Sequence, residues 1–268
     1  MVELFTAVYM FCTMSIADPN IAGPDVANMF PREAITEQEP KVKKEQLIII
    51  DYVEELKKLG YYKKISKDEK LNLRMAVNHF QSDHNISLSG QWNNECLSAL
   101  KKRLKTETFE YMDTVEAPPT KDKWITINKT KHILTLYKGS NIVKKYPVAI
   151  GKSSTPSPDG KYTIVCKVID PAWGGGGYAK PIKGGAPNNP LGKRWLGLSL
   201  NGGGDYGIHG NADEYSIGKS VSHGCIRMHN ADVLELYDLV NQSTPVWLAN
   251  ESELKQWGVK QPVYADKE

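Results

Sequence analysis

Ser222-His223-Gly224-Cys225-Ile226-Arg227, with His209-Gly210-Asn211 a short distance upstream, is the stretch on which the reading of this chain turns. A cysteine attacks as its thiolate, and a free thiol is mostly protonated near neutral pH. A nucleophilic cysteine therefore needs a base or a local positive field. Here two histidines lie close in sequence to one cysteine, among glycines that let backbone approach a substrate without side-chain obstruction. A covalent acyl-transfer site needs this set. Taken singly, each residue has an ordinary reading, the cysteine as a small buried hydrophobe and the histidine as a hydrogen-bonded side chain. The clustering reverses that. His209, His223, Cys225 and His229 also offer zinc ligands, but the spacing lacks the paired knuckles of a structural finger. A catalytic zinc site with three protein ligands is the weaker alternative.

The 268 residues allow one large or two small domains, and 40% hydrophobic with 24% charged residues is ordinary for a globular protein. A net charge of +3 gives no reason to expect a nucleic-acid partner. Basic residues gather between 41 and 105, at Lys41, Lys43, Lys44, Lys57, Lys58, Lys63, Lys64 and Lys101-Lys102-Arg103. They fit a solvated helical surface, which would also suit an anionic wall. Residues 1–17 are mostly apolar from Leu4 onward and too short for a comfortable membrane span. They read as a signal or anchor segment with Ser15-Ile16-Ala17 as a candidate cleavage site, although no Lys or Arg precedes the run. A polar linker, 18–44, follows. The four cysteines make no disulfide scaffold: Cys12 falls in the first segment and Cys225 in the motif, while Cys96 and Cys166 read as buried thiols.

Residues 45–105 carry helical periodicity. Ile48, Ile49, Tyr52, Val53, Leu56 and Leu59 share one face, and Gly60 stops the helix. Ser66-Lys67-Asp68-Glu69 reads as a capping box opening a second helix with Leu71, Leu73, Met75, Val77 and Phe80. A third helix holds Cys96, Leu97, Leu100 and Leu104. The prediction is a small all-α three-helix domain, followed by a linker over 106–121. From Trp124 the pattern changes to short alternating runs, 124–128, 133–137, 142–150 and 161–168. Asn128-Lys129-Thr130-Lys131 and Lys138-Gly139-Ser140-Asn141 fit hairpin turns. The Gly/Pro stretch from Pro171 to Gly192 reads as a lid or binding loop, or else as disordered. Strands at 195–200 and 206–209, a helix from 230 to 240 with Asn230 as N-cap, and a strand at 245–248 complete a mainly β domain over 122–249. Residues 250–268 remain as a tail.

His209-Gly210-Asn211 followed by Ser222-His223-Gly224-Cys225-Ile226-Arg227 resembles the signature of the L,D-transpeptidase (YkuD-type) catalytic domain. Similarity extends through Trp124 to Gly151, Ser157-Pro158-Asp159-Gly160-Lys161-Tyr162, and Asn188-Asn189-Pro190-Leu191-Gly192-Lys193-Arg194-Trp195. The resemblance covers 122–249 and implies a β-sandwich with one helix after the nucleophile loop. Leu56, Gly60-Tyr61, Phe80-Gln81, Leu88-Ser89-Gly90 and Leu100, in that order, resemble the peptidoglycan-binding-like domain found beside many wall enzymes. Ser89-Gly90 stands where that family usually has Asp-Gly.

The resemblance implies a reaction without cofactor or metal. Cys225 attacks the carbonyl at the L-centre of the third residue of a peptidoglycan stem tetrapeptide, D-Ala leaves, and a thioester forms. The side-chain amine of another stem's third residue resolves it into a 3→3 crosslink. The general base is His223 or His209, and nearness to the thiol favours His223, with His209 as a second polar wall. The N–H groups of Gly224 and Cys225 are oxyanion-hole candidates, each such donor worth about 2.7–4 kcal/mol to the transition state. Arg227 suits a substrate carboxylate or a structural ion pair. Gly210, Asn211, Ser222 and Tyr178 complete the expected substrate surface, with Trp173 beside Tyr178 and Trp195 read rather as core. Implied partners are peptidoglycan stem peptides and glycan, with carbapenem-type β-lactams as covalent inhibitors. The implied place is outside the cell at the wall. Oligomeric state stays open.

Three other readings compete. Water in place of the acceptor amine would make an L,D-carboxypeptidase. A non-catalytic wall-binding protein would keep every effect in Cys225→Ala. A serine acyltransferase would need Ser98-Ala99-Leu100-Lys101 or Ser216-Ile217-Gly218-Lys219, but neither Ser-x-x-Lys match has the accompanying boxes.

Overall fold

The computed structural model describes residues 51–177 and 179–264. The signal or anchor segment, the first linker and Tyr178 lie outside the described residues. Helix α1 (Tyr52–Lys58) is opened by Asp51, whose carboxylate accepts the N–H groups of Val53 and Glu54. Gly60, at φ +82, ends it in the left-handed conformation that glycine adopts cheaply. Helix α2 (Glu69–Asp83) is capped by Asp68, not by the expected box on Ser66. Ser66 Oγ instead accepts the Asp68 N–H at 3.1 Å. The Asp68 carboxylate takes the cap because it both satisfies free N–H groups and offsets the positive end of the helix. Helix α3 (Asn94–Arg103) starts at Asn93. Leu56, Val77, Phe80, Ile86 and Leu100 are fully buried between these helices. Each such large apolar side chain contributes about 1.5–3 kcal/mol by leaving water.

The strands are β1 (Thr114–Val115), β2 (Lys123–Asn128), β3 (Ile133–Lys138), β4 (Asn141–Gly151), β5 (Gly160–Ile169), β6 (Arg194–Leu198), β7 (Gly207–His209), β8 (Ser220–Ser222), β9 (Ile226–Met228), β10 (Pro245–Ala249) and β11 (Val259–Lys260). Helix α4 (Asn230–Leu239) follows β9, and α5 (Glu251–Gln256) follows β10. One sheet runs β3-β2-β10-β5-β6-β7-β9-β4-β8, and β3 also pairs with β4. That last pairing closes the sheet into a barrel, with β8 hanging from β4. The expected sandwich is therefore corrected. The reason is the length of β4: Asn141 to Pro147 pairs with β3, Val148 and Ala149 pair with β9, and Ile150 and Gly151 pair with β8. A strand long enough to serve three neighbours bends the sheet onto itself.

The barrel core is aliphatic and includes Ile125, Leu134, Val148, Ile164, Leu196, Ile208 and Ile226. Val233, Leu236 and Val240 join it from α4 and the residue after it. The stretch expected to be a tail contains α5 and β11, and β11 pairs with β1 from the stretch expected to be a linker (Thr114↔Lys260, Val115↔Val259). Two-residue strands have no period to read. Tyr264 then packs into the helical core, and its N–H donates to His84 O at 3.0 Å. Among the described residues, the helices and the barrel belong to one compact unit.

Candidate active site

Cys225 sits in the turn that joins β8 to β9. Strand β9 lies between β7, to which it runs parallel, and β4. The register pairs Ile208 with Ile226 and His209 with Arg227. Continuing that ladder puts Cys225 level with Gly207, and Gly207 backbone hydrogen-bonds the sulfur. Cys225 and His209 therefore project from neighbouring strands, two positions apart along the ladder.

The turn is built by Ser222. Its hydroxyl donates to Cys225 O at 2.6 Å and accepts the Gly224 N–H at 3.1 Å. Ser222 O in turn accepts the Lys152 N–H at 3.0 Å and the Thr155 hydroxyl at 3.1 Å. Gly224 has φ +118, and a Cβ there would lie 2.8 Å from a Tyr206 ring carbon. Only glycine fits this turn at low cost. Because the Gly224 N–H is spent inside the turn, the Cys225 N–H is the freer of the two expected oxyanion donors.

Cys225 is half-buried, and Sγ donates to Asp205 O at 3.3 Å. Burial pushes the thiol's pKa up, against the Gly207 backbone and the Arg227 charge. His209 ends β7 and is 4% exposed. Its ring stacks on Trp195 at 5.6 Å, and Nδ1 lies 2.6 Å from Gly210 O. A carbonyl can only accept, so Nδ1 carries the proton and Nε2 keeps its lone pair. Burial lowers the His209 pKa to about 4, opposed by Gly210 O and aided by Arg227. The resting pair is thus a neutral thiol and a neutral imidazole.

The other expected residues fall in distinct places. His223 is exposed on the turn before Gly224. Arg227 is half-buried on β9, and its charge acts on both Cys225 and His209. Gly210 and Asn211 face α4: the Asn211 side chain is buried and donates to Met228 O at 2.6 Å, and the Asn211 N–H donates to Asn230 Oδ1 at 3.3 Å. His229 follows β9 directly, with Nδ1 2.5 Å from a Glu214 oxygen. Among the described residues no group of three His, Cys, Asp or Glu side chains is arranged to hold a metal. Trp195 is 6% exposed, so it belongs to the core as expected and also carries the His209 ring. That second duty follows from the β6–β7 register, Trp195↔His209, which a short hairpin in the sequence does not announce. The Gly/Pro loop is tied by Trp173↔Ile182 pairing and by Asn189, whose amide donates to Pro171 O at 2.7 Å.

Comparison with known proteins fits this geometry. The family model of the YkuD L,D-transpeptidase catalytic domain matches residues 122–248. The YqjB L,D-transpeptidase-family protein of Bacillus subtilis (strain 168) is 37% identical over 139 residues, 51% of this chain and 77% of that protein. The chain belongs to the L,D-transpeptidase family. A second relative, the YkuD L,D-transpeptidase-family protein of Bacillus licheniformis, is 40% identical over 132 residues, 49% of this chain and 68% of its own. A crystal structure of an L,D-transpeptidase from Stackebrandtia nassauensis aligns over 73% of this chain and 87% of that one, at 17% identity and a TM-score of 0.43. The L,D-transpeptidase match confines itself to the barrel and α4, which make up an acyltransferase catalytic domain. The three helices lie outside it.

Proposed function

We propose that this chain crosslinks peptidoglycan stem peptides through a thioester on Cys225, with His209 as the general base. The observation that carries this reading is the neutral pair on adjacent strands, in which Gly210 O fixes the imidazole tautomer and leaves Nε2 able to accept a proton. As Sγ attacks the carbonyl carbon of the third stem residue, its proton passes to His209. The C–N bond to D-Ala breaks, and the imidazolium returns the proton to the leaving amine. An acceptor amine then gives a proton to His209 and attacks the thioester. Sulfur leaves and recovers the proton, and a 3→3 crosslink remains. The Cys225 N–H supports the oxyanion. Arg227, whose charge reaches both Cys225 and His209, supports a substrate carboxylate. His209 is preferred to His223 because a buried ring held in one tautomer needs no reorganisation at the moment of transfer. The helical module, the place of action at the wall and inhibition by carbapenems belong to the same reading.

The test is purified enzyme with a disaccharide tetrapeptide, products read by mass. Release of D-Ala with a dimer supports crosslinking, release with tripeptide alone moves the reading to L,D-carboxypeptidase, and no release from folded, reduced protein ends it. The pH profile carries a second expectation. The active imidazole is neutral, and its folded pKa is lowered to about 4. Acylation kcat/KM will therefore hold as pH falls below neutrality and drop only near pH 4, where His209 takes a proton. An acid midpoint near the ordinary imidazole value of about 6.5 would remove His209 from this role.

A further inference from the structure

One carboxylate outside the motif gathers the backbone that carries the base. Glu214 lies in a short turn, Glu214–Ser216, between His209 and Cys225 in the chain. Its Oε1 accepts the Asn230 N–H at 3.1 Å and the Asn230 side-chain amide at 2.9 Å, while Oε2 meets His229 Nδ1 at 2.5 Å. The cap of α4 is thus supplied from a separate loop: Asn230 is the first helical residue, not the N-cap expected from sequence, and His229 in the cap position makes no side-chain cap bond.

Held in this way, the Asn230 amide faces the His209 loop. Its Nδ2 donates to Asn211 O at 2.6 Å and its Oδ1 accepts the Asn211 N–H at 3.3 Å. The fit is close. A Cβ on Gly210 would lie 2.2 Å from Asn230 Oδ1, and one on Gly192 would lie 2.3 Å from it. Gly210 is also the residue whose carbonyl fixes the His209 tautomer.

The segment carrying Glu214 is itself seated on the helices. Tyr215 OH donates to Asp68 at 2.7 Å, and Arg74 donates from one nitrogen to Ile217 O at 3.0 Å and from another to Ser89 O at 2.7 Å. Asp68 caps α2 and Arg74 lies within it. The chain of contacts therefore runs from α2 through Arg74 to residues 214–217, and on through Glu214 and Asn230 to the backbone at 210–211.

We propose that Glu214 is a positioning residue for acylation, fixing His209 through Asn230, and that the helical module holds Glu214 in place through Arg74. The proposal rests on the reading of His209 as general base. It gives the helices a role in the chemistry, separate from any role in wall binding.

The experiment uses the full chain, with kcat and KM for D-Ala release measured beside carbapenem adduct formation and thermal unfolding. Glu214→Ala lowers kcat about 10- to 100-fold, the scale of a small misplacement of a catalytic group, and leaves KM within about twofold. Glu214→Gln, which keeps an acceptor for the Asn230 N–H, recovers most of kcat. Arg74→Ala lowers kcat less, and the Arg74→Ala, Glu214→Ala double variant falls no further than Glu214→Ala alone, because both act through one carboxylate. A Glu214→Ala enzyme with wild-type kcat overturns the proposal, as does loss of kcat matched by Glu214→Gln and proportional to loss of folded protein. Multiplicative losses in the double variant overturn the helical part. Should Glu214→Ala not fold, Glu214→Gln and Glu214→Asp decide it by the same kcat-against-KM split. A wild type that releases no D-Ala and takes no adduct refutes the functional reading itself, whereas an active wild type with an indifferent Glu214 refutes only the positioning role.

Discussion

Cys225→Ala will fold as the wild type does and will take no covalent adduct from a carbapenem, while wild-type protein gains one drug-sized mass. The fold should survive because the thiol is small and half-buried, and its hydrogen bonds, to Asp205 O at 3.3 Å and with the Gly207 backbone, are the weak ones of sulfur. The turn around it is held by Ser222 and Gly224, which the substitution leaves alone. Activity should fall by roughly 10⁶-fold in kcat, the scale seen when a nucleophile acting as a unit with its base is removed. Intact-protein mass spectrometry with a tetrapeptide turnover assay measures both. The burial that raises the thiol's pKa adds a corollary. Cys225 is not a preformed thiolate, so its reactivity toward substrate depends on proton transfer at the moment of attack. An adduct on Cys225→Ala, or unchanged D-Ala release, would require another nucleophile, and Ser216 would be the first to examine.

Asp113→Ala will destabilise the protein by about 3–5 kcal/mol, the usual cost of stripping one partner from a buried ion pair. The Asp113 and Lys145 side chains are both 0% exposed and meet at 2.6 Å. Asp113 also accepts from Asn85 at 2.7 Å, Tyr137 OH at 2.8 Å and the Gln261 amide at 3.0 Å. Burial alone would push this carboxyl's pKa up, but Lys145 and the hydrogen bonds outweigh it and hold the group below its usual range. Without Asp113, the Lys145 ammonium keeps only Asn85 Oδ1, the Tyr111 ring face at 5.6 Å and the charge of Asp83 in a dry site. The partners of Asp113 come from four parts of the chain: the loop between α2 and α3, β3, β4 and the residue after β11. The loss should therefore appear as one cooperative urea transition with a lower midpoint and an unchanged slope. Two separated transitions would mean that helices and barrel hold together by other means.

Much of this was legible in the residues. The turn that carries Cys225 could be read from the run 222–227, and β2 to β7, β10 and α4 fall within about two residues of where alternation and 3.6-residue spacing placed them, whereas β1, β8, β9, α5 and β11, each six residues or fewer, were not placed at all. Pairing was not legible. Alternation says which side of a strand faces the core, not which strand lies beside it, so closure through β3 and β4 was invisible. The caps shifted for a related reason. A local pattern proposes Ser66 or Asn230, but the acceptor that satisfies the helix end is a charged neighbour, Asp68 in one case and the distant Glu214 in the other. Nothing in the β run 142–150 marks Lys145 as buried. Only the assembled fold brings Asp113 and Asn85 to it. The place of His209 likewise depends on Trp195, fourteen positions earlier in the chain and level with it across a hairpin.

Closure of the sheet also bears on how the protein behaves among its own copies. An open sheet ends in two strands whose N–H and C=O groups can recruit a strand from another chain, the usual start of edge-to-edge aggregation. Here the long strands β3 and β4, which would be natural templates, satisfy one another. What remains at the margin is β8, three residues long, and the two-residue ladder of β1 with β11. Both are too short to template another chain. The ring that positions the thiol thereby also leaves no long strand edge open among the described residues.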